Sequence, residues 1–593
     1  MLSLDASLTV GGSVGVAQKI YVRNVGEGML NVSVDGATQS GSLFHHTGRI
    51  AVEADLLKRI EVQPGVGNAI DGPGALGGAI RFITKDPDDL LQPGQHHGAL
   101  LKYSHYSNTR GYKGSATGYS RLNDQWSSLV SLVYSEHDES EDGAGNRLLG
   151  SDTRQKVFMG KLVGHFDHGQ SLRLSFEQLD EEGTKLQRPE WGVGPFNRQY
   201  YMETSRRTAT LNYGVRPDEN GPINLDATLS YTEAGILQIA RWGPYHGTVE
   251  TMQFDLRNTQ ALNTHQLIYG LDYRADEVSA GPDTAPNSVG EEGSVFGLFT
   301  QDTVALSGQF ELNFGARYDI YDLEDLAGKR FDQAGFSPNV GLNFQATPEF
   351  SIMASAATAY RGTQIADAFR VDIHNNDPDL KAEQAQNYEL RFLYQKEGRS
   401  LEAGAYANRI EDVVSNDVPW GRFYTNVGDL KTDGFFARAS HSTAHTYLSL
   451  QYNSADTTLN DHVGIRYQYG SVVSSIGDTW VADVSWQPIP AVNVGWNTRA
   501  VQGIDNIPVP VRITGVPGST IDKPGYVTHD FYARWSPSAL EGISLSVTVK
   551  NVFDKLHRNH GTLEDMTAFP GFDGVVGHYE PGRDVRLSAS YQF

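Results

Sequence analysis

The sequence predicts an all-β transmembrane barrel of about 22 antiparallel strands with a small N-terminal αβ domain in its lumen. Three observations predict it. From about residue 90 onward, apolar and polar residues alternate with period two in short segments broken by turn residues. No run of about eighteen apolar residues occurs, so no transmembrane helix is available, while strands could still cross a bilayer. Residues 1–90 have another texture, Gly-rich with brief apolar bursts.

The alternation is clearest in Ile223-Asn224-Leu225-Asp226-Ala227-Thr228-Leu229-Ser230-Tyr231-Thr232, where one face is apolar and the other polar. It recurs in Ser171 to Glu177, Ala209 to Tyr213, Ile543 to Lys550 and Val585 to Phe593. Such a strand separates two unlike solvents. Tyr318, Tyr321, Trp480, Trp486, Trp496, Tyr532 and Trp535 gather near predicted strand ends, where rings suit a membrane–water boundary. Long polar insertions are expected at Ala280 to Gly293 and Asn453 to Tyr467. A sheet crossing hydrocarbon must pair every backbone N–H and C=O internally, so it must close on itself. Roughly 500 residues, at about 10 per crossing plus loops, leave room for about 22 strands, a number taken from known large barrels and not counted from the pattern. Within residues 1–90, Glu53 to Lys58 is the clearest helical segment, and Lys19 to Arg23 and Asn31 to Gly36 are short strands.

Composition excludes several chemistries. The 593 residues include no cysteine, which removes disulfides, thiolate metal sites, iron–sulfur clusters and cysteine nucleophiles. The formal charge of −23 argues against nucleic acid as a partner. Acidic runs such as Glu136 to Asp142 read as exposed loop. Gly72-Pro73-Gly74-Ala75-Leu76-Gly77 matches a dinucleotide fingerprint by letter, but a strand-like Ala79 to Thr84 follows where a helix is needed, so the glycines serve tight backbone packing. Gly11 to Gly15 spells a nucleophile elbow around Ser13 without the helix that would support one. Nothing indicates an enzyme or an intrinsic cofactor.

Several separated segments, in order, resemble TonB-dependent outer-membrane receptors. Tyr21 to Gly26, Val32 to Gln39 and Leu56 to Lys85 resemble parts of the plug domain; Phe299 to Asp302, Gly315 to Asp319, Phe336 to Pro338, Tyr424 to Gly428 and Asn551 to Lys555 resemble barrel segments. The resemblance implies a plug at residues 1–90 and a barrel at 91–593. It gives structural roles in the plug to Arg23, Asp35, Gly36, Glu61, Gly72, Gly74, Gly77 and Gly78. Gln63-Pro64-Gly65 stands where the family commonly has Arg-Gly-Pro, so the usual arginine contact with the barrel is not expected there. The terminal Phe593 resembles the signal read by the barrel-assembly machinery. Met1 to Gly15 shows neither signal peptide nor TonB box, and the reading expects an N-terminally incomplete chain.

The expected partners are the TonB energy-transducing complex, the barrel-assembly machinery, outer-membrane lipid and lipopolysaccharide, and a small metal-chelate ligand. Tyr360-Arg361-Gly362-Thr363 and Asn376 to Glu383 resemble the paired boxes of haem receptors, with His374 between them; His45-His46 follows the Asp35-Gly36 turn by a span that suits the plug apex. His45, His46, His374, Tyr360 and Arg361 are therefore the candidate ligand contacts, with His46 and His374 able to ligate iron in haem or a chelated metal. The leading expectation is import of a siderophore or related metallophore across the outer membrane. The alternative within the family is haem, and the alternative of another class is a passive porin or surface-binding barrel.

Overall fold

A computed structural model describes residues 2–49, 51–217, 221–241, 243–371, 375–416, 423–469 and 472–593. Twenty-two long strands pair in chain order into a closed barrel, with two further two-residue strands, Asn375–Asn376 and His462–Val463, in the loops of one rim. The last strand, Asp584–Gln592, pairs antiparallel with the first. Phe593 continues that seam by exchanging backbone hydrogen bonds with Ala99 at 2.9 and 3.1 Å.

The alternation read from sequence becomes an inside and an outside. In the strand Phe310–Glu324, Arg317, Asp319, Tyr321 and Leu323 are buried toward the lumen, whereas Tyr318 and Ile320 are 46% and 48% exposed on the outer surface. Many outward apolar side chains, among them Leu101, Val130, Leu132, Leu229, Leu298 and Val340, are likewise exposed, the arrangement required when the outer solvent is lipid and the inner one is polar. Of the aromatic residues expected at the boundary, Tyr318, Trp480, Trp486 and Trp535 stand outside, but Tyr321 is turned inward at 3% exposure, on the parity of the buried Arg317 and Asp319.

Short turns occupy one rim, such as 122–125, 263–264, 348–349 and 397–398, and long connections the other: 187–198, 362–382, 460–478, 502–525 and 551–583. Two expected insertions are largely strand. Pairing continues to Pro282 and resumes at Val289, and the strand Thr446–Leu459 runs through the first half of the second segment. The long connections share an apolar core of their own, in which Ile465, Tyr467, Ile507, Val509, Ile521, Leu563, Met566 and Phe572 pack together with Trp191 against them.

The lumen is filled by residues before about 90, arranged as two small sheets. The first joins β1 (Leu8–Gly11), β2 (Lys19–Val22) and β3 (Val25–Gly26); the second has the order β5–β4–β7–β6, with β4 Asn31–Val34, β5 Ala37–Thr38, β6 Leu57–Pro64 and β7 Gly78–Thr84. The division expected at residue 90 falls between β7 and the first barrel strand, β8 (His97–Tyr106). The expected α content is not found: among the described residues of this domain the helices are single 3-10 turns. Glu53 to Lys58 forms one such turn, Ala54–Leu56, after which Leu57 is drawn into the ladder with β7.

Gly72 (φ 88°), Gly74 (φ 73°) and Gly78 (φ 120°) hold backbone conformations that side chains disfavour, and a Cβ on Gly78 would lie 2.1 Å from the Gln63 carbonyl oxygen. Gly77 lies against Val25, Leu30 and Met29. Asp35 and Gly36 form the turn between β4 and β5, and Asp35 accepts hydrogen bonds from the Thr84 backbone and hydroxyl while pairing with Lys161 of the barrel at 3.0 Å. Glu61 instead pairs with its neighbour Arg59 on a solvated edge.

Arg23 pairs with Glu389 of the barrel at 2.8 Å and lies 3.8 Å from the centre of the Tyr406 ring. From the barrel side, Arg499 donates to the carbonyls of Ser3, Asp5 and Leu8 and to the Thr9 hydroxyl, and Arg317 donates to the Ala69 carbonyl. These contacts hold the plug from several sides without the missing arginine at Gln63-Pro64-Gly65.

Candidate functional site

The connection between β5 and β6 carries Phe44, His45 and His46 at the plug apex. The Thr47 N–H and hydroxyl both donate to the Phe44 carbonyl, at 2.8 and 2.9 Å, closing a tight turn that fixes the two histidines at its corner. Lys19 donates to the His45 carbonyl from below. The imidazoles lie side by side, ring centres 4.0 Å apart, with Phe44 edge-on to both.

Loops from the long-connection rim descend onto this apex. Phe369 packs on Phe44 at 4.4 Å, and Trp191 stands 5.4 Å from His46, continued by Tyr467 and Phe572. Asp367 approaches His45 with its Oδ2 3.6 Å from Nδ1. The Nδ1 of His46 lies 2.5 Å from Oε1 of Glu190, and the other carboxylate oxygen of Glu190 accepts from Arg466. Arg466 is fixed in turn by its backbone N–H on Glu564 at 2.9 Å and its Nη1 on the Gly561 carbonyl at 2.8 Å.

Electrostatics define the protonation state. Burial pushes His46 down to about 4, outweighing the opposing pull of Glu190. Burial acts upward on Glu190, but Arg466 and His46 hold it well below the usual carboxylate range. Burial, reinforced by Arg370, also pushes His45 well below its ordinary value. At neutral pH the pair is therefore a neutral imidazole donating Nδ1–H to an ionised carboxylate, which leaves the lone pair on Nε2. No hydrogen bond reaches that Nε2 among the described residues. A carboxylate behind the imidazole fixes tautomer and orientation and raises ligand basicity, as in metal-ligating histidines.

The candidates divide. His45 and His46 are brought together at the apex. His374 lies outside the described residues, although the same connection sends Asp367 and Phe369 to the apex. Arg361 stands apart from the histidines: its Nε donates to Glu383 at 2.7 Å, Nη1 to the Gly28 carbonyl at 2.6 Å and Nη2 to Met29 Sδ at 2.9 Å, so it clamps plug to barrel. Tyr360 lies beside that clamp, packed with Tyr321 and Val295 over Gly335, and does not join the histidines. Sequence reasoning missed Glu190, Trp191, Arg466 and Phe369, which reach the apex only through folding. Glu190 is 144 residues from its histidine. Among the described residues, no three His, Asp or Glu side chains converge as a bare-ion site.

A closed barrel whose lumen is filled by its own N-terminal domain defines the class of plugged membrane barrels. The family model of the TonB-dependent receptor plug domain matches residues 1–79, and that of the TonB dependent receptor-like β-barrel matches residues 160–552. The chain belongs to the TonB-dependent receptors, a family of transport receptors. It is 25% identical to the heme transporter BhuA of Brucella ovis over 614 residues, covering all of this chain and 89% of the relative. To the hemin receptor of Yersinia enterocolitica it is 24% identical over 641 residues, covering all of this chain and 88% of the relative. Its fold is similar to the solved FrpB iron transporter of Neisseria meningitidis, with a TM-score of 0.89, 22% identity, and coverage of 100% of this chain and 96% of that one.

Proposed function

We propose that this protein is a haem receptor of the outer membrane that binds haem at the plug apex and passes it inward by a TonB-driven movement of the plug. The observation that carries the reading is the Nε2 of His46, neutral, oriented by Glu190 and without a hydrogen-bond partner among the described residues. Haem brings four in-plane donors and needs only axial ligands from protein, which one or two imidazoles supply. Phe44, Trp191 and Phe369 provide the flat apolar walls that a porphyrin face requires. The sequence alone placed a metallophore first. A siderophore saturates its metal with its own oxygen donors and has no use for a carboxylate-braced imidazole, and the relatives named for haem or hemin point the same way.

The passive-porin reading loses its support because the plug occupies the lumen through ion pairs and backbone hydrogen bonds on several sides. Haemin titration of detergent-extracted protein, followed by visible absorbance, tests the proposal. We expect a saturable Soret shift, weakened by His46→Ala about 10-fold or more in affinity, with His45→Ala and His374→Ala measured in parallel to locate any second axial ligand. A titration that never saturates would discard haem as the ligand and return the metallophore.

A further inference from the structure

Beside the apex stands a cation whose side chain has no hydrogen bond or ion pair among the described residues. Arg188 lies at the start of the connection 187–198, its guanidinium carbon 4.3 Å from the centre of the Trp191 ring, the same ring that faces His46. The loop is rigidly built. Asn197, 3% exposed, accepts from the Arg188 N–H at 2.8 Å and donates to the carbonyls of Arg188, Trp191 and Gly192.

The other cations of this neighbourhood are committed. Lys19 donates to the His45 carbonyl, Arg370 faces Asp367 at 3.6 Å, and Arg466 serves Glu190 and Gly561. The Arg188 side chain, by contrast, makes no hydrogen bond and no ion pair among the described residues, and none of its nitrogens is sealed from solvent. A planar guanidinium stacked on an indole is pre-organised, and its free N–H edge has the fork geometry that carboxylates match.

We propose that Arg188 recognises a carboxylate of the bound ligand, reading the propionate arms of a tetrapyrrole whose iron sits on His46. The inference rests on the haem reading and adds to it the chemical group that selects among porphyrins. Trp191 couples the two contacts, lying beside the imidazole and carrying the guanidinium on its face. Arg188 is thus a specificity residue, touching the ligand's edge and not its metal.

The experiment compares haemin with haemin dimethyl ester, which keeps porphyrin and iron but lacks the carboxylate charge, on the full chain carrying Arg188, Arg188→Lys or Arg188→Gln. The unaltered protein is expected to bind haemin about tenfold or more tighter than the ester, the discrimination a charge-assisted hydrogen bond supplies. Arg188→Gln keeps a polar stem against Trp191 and should bring the two affinities within about twofold, by weakening haemin while leaving the ester unchanged; Arg188→Lys should fall between. Ester binding is the control for folding. Equal affinities in the unaltered protein, or equal weakening of both ligands by the Gln variant, would overturn the assignment while leaving haem binding in place. Absence of any saturable haemin signal in the unaltered protein would remove the haem reading, and this inference with it.

Discussion

His46 Nδ1 of the plug and Glu190 Oε1 of a barrel loop lie 2.5 Å apart, so the orientation of the apex imidazole is set by the barrel and not by the plug that carries it. Glu190→Gln should lower haem affinity about 10- to 100-fold, the effect typical of losing an outer partner of a metal-bound histidine. A purely structural role for Glu190 would leave the bound haem unchanged. Loss of a basicity-raising partner should instead move the midpoint potential of bound haem upward, read by spectroelectrochemistry.

The closed loop over the apex should loosen in acid. His46 titrates at about 4 when enclosed and near the ordinary value of about 6.5 when opened, so between those limits the open form binds a proton that the closed form does not. Closure is therefore fully stable above about pH 6.5 and loses stability as pH falls toward 4. His45, also held low by burial, adds to the loss; Asp367, pushed up to about 6 by burial, offsets part of it below that value. Hydrogen exchange of amides 187–198, corrected for intrinsic rates, should show protection flat from pH 8 to 6.5 and declining below. Protection independent of pH would contradict a buried, neutral His46 imidazole.

Arg361→Ala should free the plug on one side. It leaves the Glu383 carboxylate, 3% exposed, without its cation, a change that costs about 3–5 kcal/mol for a buried pair, and it removes the donor to the Gly28 carbonyl. In planar bilayers the unaltered protein should be nearly silent, and the variant should show intermittent openings. Large steady openings in the unaltered protein would argue for a pore.

Gly78→Ala tests the plug sheet. The new methyl would meet the Gln63 carbonyl at a position where φ is already 120°, so β6 and β7 could not pair there. The barrel should still migrate as a folded species on unheated gels, while protease digestion should remove the plug far faster than from the unaltered protein.

The barrel was legible because lipid and a polar lumen impose opposite demands on adjacent residues; Ile543–Lys550 emerges as a strand with the bounds read from its alternation. The strand at Ala280 to Pro282 was hidden because Gly and Pro suggest turns, yet backbone pairing continued through them. His45 and His46 could be placed at the apex from their distance along the chain. Their partners could not, since Glu190 and Arg466 are 276 residues apart and neither carries a local pattern pointing to the other. The place of Arg361 was hidden for a related reason: a cation in a ligand-box motif is equally suited to gripping a carbonyl of the plug.

The plug's two sheets share no backbone ladder among the described residues. Force drawn along β1 would be carried through the three-strand sheet and resisted at the wall by Arg499, whose acceptors lie on Ser3, Asp5, Leu8 and Thr9. The four-strand sheet shares no ladder with it, but the histidine turn is tied to the first sheet directly, since Lys19 donates to the His45 carbonyl and Gly48 donates its N–H to the Val16 carbonyl. A pull on β1 would therefore reach the histidine turn through Lys19 and the core that Leu8, Ile20 and Val22 share with Val34, Ile80 and Phe82, so the apex would answer to the first movement of the stopper.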